Sequence, residues 1–467
     1  MAVSSPQSLD AVIEQLRQRL TGRVITPADR EYEQMRQISI GDVDPHPPVI
    51  VRVASDEDVV ATVNMAREAG LDLAVRSGGH DSAGHSTTDN GIVLDLRDMH
   101  KVTVDPESQT AWAETGASAL EVTKAASEHG LVIGFGDTGS VGIGGITLGG
   151  GVGYMVRRYG LTIDNLLAAD IVTADGSVLR ADENTNQDLF WAIRGGGGNF
   201  GVATRFLYKL HPLPAFSGGM LILPATAENI AAFMQVAAEA PETVSTIANV
   251  MNCPPMPFLP EDVVGTLVIL AMVGYSGDAA GAEQALAPFR TIATPLADFM
   301  KEMPYTEMYP PEDESYKPKA IGYTSFLHRV DLATAQAMMD FLARSDSSLR
   351  AIQLRPLGGA MARVPTDATA FAHRSAGVMS IVVNFFEGDG DFAEREKWAR
   401  EFVDAIDQGL PGAYVNFVGR EGDQGVRNAY PGETYGRLAA IKAKYDPTNL
   451  FHLNQNIPPN PSATPAA

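Results

Sequence analysis

Cysteine is nearly missing from this chain. Cys253, in Asn252-Cys253-Pro254-Pro255, is the single one in 467 residues. An internal disulfide is therefore excluded, and no cysteine set exists for zinc or an iron–sulfur cluster. No metal is expected. Long apolar runs are missing too: no stretch reaches the ~18 residues of a membrane span, and no membrane contact is expected. The first residues, Met1-Ala2-Val3-Ser4-Ser5-Pro6-Gln7, carry neither a basic nor an apolar leader segment, so a cytoplasmic protein is the expectation. Positive charge is in deficit, with 35 Lys and Arg against 57 Asp and Glu. The formal charge of −22 argues against nucleic acid as a partner. Gly-Lys-Ser/Thr does not occur, which excludes a Walker P-loop.

Glycine is abundant, at 45 residues, and much of it is clustered. Arg76-Ser77-Gly78-Gly79-His80 comes straight off an apolar segment, 71–75. A second cluster begins at Gly142-Ile143-Gly144-Gly145 and runs through Gly149-Gly150-Gly151-Val152-Gly153. The third is Arg194-Gly195-Gly196-Gly197-Gly198-Asn199-Phe200-Gly201. Such turns let backbone N–H groups approach a ligand and suit a pyrophosphate. A phosphate cradle needs no histidine, so His80 at the rim asks for its own explanation. Attachment to a cofactor is one; a loop histidine bonded to backbone is the other.

With 45% hydrophobic and 20% charged residues the chain is ordinary globular protein. Its length suggests two domains of roughly 200 residues. A strand is expected over 49–54. Ser55 then caps a helix, with Asp58 at the capping-box position, and Gly70 ends it. The strand over 71–75 completes a β-α-β unit. Short strands are expected at 92–96, 101–104 and 110–114, then a helix over 118–129. A hairpin follows at 168–173 and 177–180 around Ala174-Asp175-Gly176, then a short helix at 188–194 and a strand at 202–210. The character changes over 213–411. Strands at 220–223, 246–251, 266–273, 352–354 and 378–385 alternate with helices at 228–239, 280–287, 332–344 and 391–406, which suggests one sheet with helices on one face. From Tyr414 a strand, a helix over 435–444 and a coil are expected. The tail from 458, rich in Pro and Ala, reads as frayed.

A Rossmann fold would need a helix opening at the glycine cluster and an acidic residue about 20 positions later. Neither is expected at Gly142–Gly153. Instead, four segments stand in register with one family: Val75-Arg76-Ser77-Gly78-Gly79-His80; Gly136-Asp137-Thr138-Gly139-Ser140-Val141-Gly142 running into the second cluster; Asp188-Leu189-Phe190-Trp191 running through Gly201-Val202; and Tyr445-Asp446-Pro447-Thr448-Asn449-Leu450-Phe451 with Asn454-Gln455-Asn456. The chain resembles the vanillyl-alcohol-oxidase superfamily in its berberine-bridge-enzyme-like branch.

That resemblance implies an α+β fold. An FAD-binding domain of the PCMH type would come from both chain ends, 1–212 and 412–467. A substrate domain of antiparallel sheet covered by helices would be inserted over 213–411. FAD would be bonded to His80, and contacted by Arg76, Ser77, Gly78, Gly79, Ser82, Thr138, Ser140, Val141, Gly142, Gly145, Gly150, Gly151, Gly153, Val202, Asn454 and Asn456. Many members add a second bond through a cysteine, whose position falls on Thr138; attachment here should be single. The segment 378–384, where plant members carry a catalytic glutamate, has no carboxylate. Tyr435 is the first choice for a catalytic phenol and Tyr430 the second, although each also reads as a packing tyrosine. Gln353 is a further catalytic candidate. Ile143 falls where dioxygen reaches the flavin in the family.

The implied activity is an FAD-dependent oxidase acting on a small hydroxylated, aminated or aromatic metabolite, with dioxygen as acceptor. A dehydrogenase or an oxygenating or cyclising enzyme is the first alternative. A flavoprotein without turnover is the second.

Overall fold

The computed structural model describes residues 8–213, 215–313, 317–347, 349–386, 392–410, 412–460 and 462. Residues 1–7, Asp391, the domain limit at Pro411 and most of the tail lie outside them.

Continuous apolar runs build the first sheet. Val49–Arg52 and Gly91–Asp95 are buried at every position, as parallel strands covered on both faces require. The parallel order is Val49–Arg52, Gly91–Asp95, Asp72–Arg76, with Arg23–Ile25 antiparallel at the edge. Gly91–Asp95 thus sits between the two strands of the expected β-α-β unit. Helix Asp56–Ala69 packs Val59, Val63 and Ala66 against this sheet. Ser55 Oγ accepts from Asp58 N–H as expected, but the Asp58 carboxylate takes N–H groups of Thr21, Gly22 and Ala54 instead of closing the box.

A five-stranded antiparallel sheet follows, in the order Val102–Asp105, Thr110–Glu114, Val202–Lys209, Leu166–Val172, Val178–Asp182. The third large sheet has eight strands. Along its path lie Ala297–Asp298, Phe216–Pro224, Leu267–Ser276, Val244–Asn252, Arg350–Pro356, Val378–Phe385 and Ala320–Leu327, all antiparallel. Period-two alternation divides its faces. Leu221, Leu223, Ala248, Val250 and Val382 join the core under helices Ala227–Glu239, Ala279–Arg290, Leu332–Arg344 and Phe392–Ile406. Ile247, Met379 and Ile381 turn the other way, towards Tyr154, Val152 and Tyr414. One face therefore carries helices and the other meets the glycine-rich part.

Two further expectations fail, and one strand was not foreseen. Helix Ile143–Gly149 does open at the second glycine cluster, because Ile143, Thr147 and Leu148 are buried and packing overrides glycine's poor propensity. It does not make a Rossmann fold, since the strand ahead of it, Leu131–Val132, pairs antiparallel with His211–Pro212. After Tyr414 there is a short turn, Val415–Phe417, and an unexpected helix, Gly422–Ala429, where a strand was expected. Strand Ala320–Leu327 escaped notice because Gly322, Thr324 and Ser325 blur its pattern; its pairing with Val378–Phe385 supplies the order.

Candidate active site

The two glycine turns touch. A Cβ on Gly78 would lie 2.3 Å from Gly142 N, and one on Gly142 would lie 2.2 Å from Gly78 N. No other residue pair allows that approach. Ser77 Oγ stitches the turns together, donating to Thr115 O at 2.5 Å and accepting from Gly144 N–H at 3.1 Å.

Between the turns opens a cavity of about 360 Å³, within the range of cofactor pockets. Ser77, Gly78, Gly79 and His80 form one wall. Thr138, Val141, Gly142 and Gly145 form the next, with Val202 and Asn454 beyond them. Asp137, Arg355, Tyr414, Asn416 and Phe417 line it as well.

The walls are ready for a polar ligand. The N–H groups of Gly78, Gly79 and His80 have no acceptor among the described residues. Ser86 Oγ and Asn454 Oδ1 are buried without a partner, and both residues line the cavity. Such orphans are rare in a finished core and common where a ligand completes the set. Gly145 and Gly198 face open space where a Cβ would stand. These features fit a dinucleotide such as FAD.

His80 Nε2 lies 3.0 Å from Ser140 Oγ. Burial holds its imidazole below the usual histidine range, with Glu312 and the Ser140 contact pulling partly the other way. A neutral imidazole is the nucleophilic form.

Arg355 is pinned on three sides. Nη1 donates to Val152 O at 2.7 Å, Nη2 to Asp137 Oδ2 at 2.8 Å and Nε to Gln353 Oε1 at 2.7 Å. Its guanidinium stacks 5.3 Å from the Phe417 ring centre. Tyr414 Oη accepts from Gly151 N–H at 2.7 Å and from Asn416 Nδ2 at 2.8 Å, and burial pushes its phenol pKa up.

Several sequence candidates stand elsewhere. Arg76 is fully buried and donates to Ser86 O, Met35 O and Arg36 O; it clips loops together outside the cavity, with its pKa pushed down to about 10 by burial. Ser82 is exposed on the outer loop. Ser140 is also exposed and reaches the cavity only through His80. Gly150, Gly151 and Gly153 pack against protein: a Cβ there would strike Tyr414, Thr162 and Phe135 O respectively. Asn456 does not line the cavity, although its Oδ1 is a buried orphan. Ile143 points into the core with no exposure.

The catalytic candidates also move. Gln353 supports Arg355 and bonds Asn249 Oδ1 at 3.0 Å, so it acts behind the wall. Tyr430 is buried, its Oη donating to Gly195 O at 3.3 Å. Tyr435 packs on the core beneath Arg427, whose guanidinium lies 4.6 Å from its ring centre. Neither phenol reaches the cavity.

Sequence reasoning missed Arg355, Tyr414, Asn416 and Phe417 as wall residues. One signal was available for Arg355: an arginine two positions from Gln353 in an apolar strand shares its face.

A glycine-built dinucleotide cavity, capped by an inserted antiparallel sheet, defines a flavin-dependent oxidoreductase. Residues 47–182 match the family described as FAD binding domain, and 413–458 that described as Berberine and berberine like. The chain is 30% identical to (R)-6-hydroxynicotine oxidase of Paenarthrobacter nicotinovorans, over 95% of this chain and 98% of that one. It is 32% identical to an uncharacterized FAD-linked oxidoreductase of Bacillus subtilis, over 95% and 99%. The crystal structure of 6-hydroxy-D-nicotine oxidase from Arthrobacter nicotinovorans matches with a TM-score of 0.81 at 26% identity, covering 98% of this chain and 100% of that one. The chain belongs to the berberine-bridge-enzyme-like family of FAD-linked oxidoreductases. Among the described residues, no helix is long and apolar enough to cross a membrane.

Proposed function

We propose that the protein oxidises a small hydroxylated, aminated or aromatic metabolite, with FAD held covalently through His80 and dioxygen as final acceptor. The observation that carries this reading is the cavity's mixed lining. Glycine backbone whose N–H groups have no acceptor among the described residues stands beside His80, and the fixed polar and aromatic side chains of Arg355, Tyr414, Asn416 and Phe417 complete the lining. Bound there, FAD supplies the two-electron acceptor for a hydride.

The chain's own residues do the rest. The Gly78-Gly79 turn presents N–H donors to the diphosphate, and Ser86 and Asn454 offer the unpaired atoms described above. His80, kept neutral by burial, provides the attachment nitrogen. Arg355 cannot swing, because three acceptors hold it; it shapes the substrate end together with the Asp137 carboxylate. Ile146, Leu148 and Val152 line the cavity with apolar surface and exclude water. In this reading 1–212 and 412–467 hold the cofactor and 213–411 the substrate.

The relative named as a 6-hydroxynicotine oxidase, matched in both sequence and crystal structure, supports the oxidase reading over a dehydrogenase. Mixing the yellow protein with a panel of alcohols and amines without air should bleach it for at least one compound. Admitting air should restore the colour and yield hydrogen peroxide. Bleaching without reoxidation in air would favour a dehydrogenase. No bleaching across amines, alcohols and phenols would remove the proposed substrate class.

A further inference from the structure

His80, Ser140 and Glu312 form a hydrogen-bonded line at the cavity mouth. Ser140 Oγ lies 3.0 Å from His80 Nε2 and donates to Glu312 Oε2 at 2.5 Å, while Ser140 N–H donates to Glu312 Oε1 at 3.0 Å. The carboxylate therefore takes both donors of one residue. A serine hydroxyl has a single proton. With that proton given to Glu312, the oxygen can only accept from the ring, so His80 carries its proton on Nε2 and keeps its lone pair on Nδ1. Without Glu312, the hydroxyl could turn and donate to Nε2, and the tautomer would be free to change.

The other charged groups nearby are already engaged. The Asp81 carboxylate takes the N–H groups of Ala83 and His85 and pairs with His85 Nδ1 at 3.2 Å. Among the described residues, that leaves Glu312, from the inserted segment, as the charge that addresses His80.

We propose that Glu312 is a positioning residue for flavin attachment: acting through Ser140, it fixes the His80 tautomer and balances the positive charge the imidazole gains as the bond forms. This rests on the reading that His80 carries the flavin. In the step, a bond forms between Nδ1 and the flavin 8α carbon while one C–H bond of that carbon breaks. The 8α proton, the Nε2 proton and two electrons reduce dioxygen to hydrogen peroxide. The arrangement follows the logic by which a carboxylate orients a histidine and stabilises its cation in hydrolytic triads.

The test uses full-length apoprotein from riboflavin-depleted cells, labelled with ¹⁵N-histidine. Nitrogen shifts report the His80 tautomer, and intact mass follows covalent incorporation after FAD is added in air. The account expects Nε2–H in the wild type. Glu312→Gln and Ser140→Ala should slow attachment by about ten- to a hundredfold, the size of a lost hydrogen bond to a charged group, with non-covalent FAD affinity unchanged. Glu312→Asp should recover part of the rate, which a purely structural role would not predict. Attachment at the wild-type rate in Glu312→Gln, or an Nδ1–H tautomer in the wild type, overturns the proposal. A wild type that binds FAD but never becomes labelled overturns both this proposal and the reading it rests on.

Discussion

Gly142–Gly145 and Gly150–Gly153 lie in one glycine-rich run and have nearly the same composition, yet Gly145 and Gly151 do opposite work. In the first group Gly142 and Gly145 line the cavity; Gly145 leaves open space for a ligand, while Gly142 lets the Gly78 backbone come close. The glycines of the second group face protein, although Val152 between them lines the cavity. Gly151, at φ +81°, has Thr162 Oγ1 1.9 Å from where its Cβ would stand, and its N–H is tied to Tyr414. Glycine is required in both places, once for the cofactor and once for the fold. A sequence motif merges the two demands because it records the residue and not what lies opposite.

Gly151→Ala should break the fold side of this comparison with the largest effect. A left-handed backbone and a severe overlap together cost about 3 kcal/mol or more. Thermal unfolding should fall by several degrees, or soluble yield should collapse, with or without FAD; a wild-type melting curve would assign Gly151 to the ligand instead. Tyr414→Phe comes next. It strands Gly151 N–H and takes one of the two bonds of the Asn416 amide, whose bond to Ile146 O remains, for about 2 kcal/mol in stability. Turnover should fall too, since Asn416 loses a fixed partner; unchanged stability would mean that water replaces the hydroxyl.

Gly145→Ala sharpens the ligand side. No atom lies within 4 Å of the added methyl, and alanine favours helix, so the apoprotein should melt at or slightly above the wild-type temperature. The methyl enters the cavity, and non-covalent FAD binding should weaken by about tenfold, or ~1.4 kcal/mol. Calorimetric titration of the apoprotein separates these. Tyr435→Phe has the smallest expectation: stability within about 0.5 kcal/mol of wild type and an unchanged kcat. A large loss of kcat would return Tyr435 to the catalytic machinery.

The contrast also explains what could be read from the sequence. The elements over 49–132 were legible because local devices set them: Ser55 and Ser118 cap their helices, and Gly70 ends the first in a left-handed turn. The His80 turn was legible because its glycines and histidine are adjacent in the chain. The substrate end was not. Arg355, Tyr414 and Asn416 come from a strand and a turn separated by more than one helix, and only sheet order and the fold of both chain ends bring them to Asp137 and Thr138. Tyr430 and Tyr435 attracted attention as phenols close to the last motif. Their burial under Gly422–Ala429 and Thr434–Tyr445 depends on helix packing that no local pattern declares. Ile143 misled for a related reason: its place in the motif is beside the cavity, but the first turn of its helix rotates the side chain into the core.

The central claim is covalent attachment of FAD at His80 and nowhere else. Thr138 lines the cavity but has no thiol, and Cys253 is buried in the inserted domain beside Ile222 and Val268, its thiol pKa raised by burial. Mass spectrometry of a proteolytic digest of the wild-type protein tests this most directly. The account predicts the FAD mass on the peptide containing His80 and unmodified peptides for Thr138 and Cys253. An unmodified His80 peptide, or flavin on either of the other two, would contradict it.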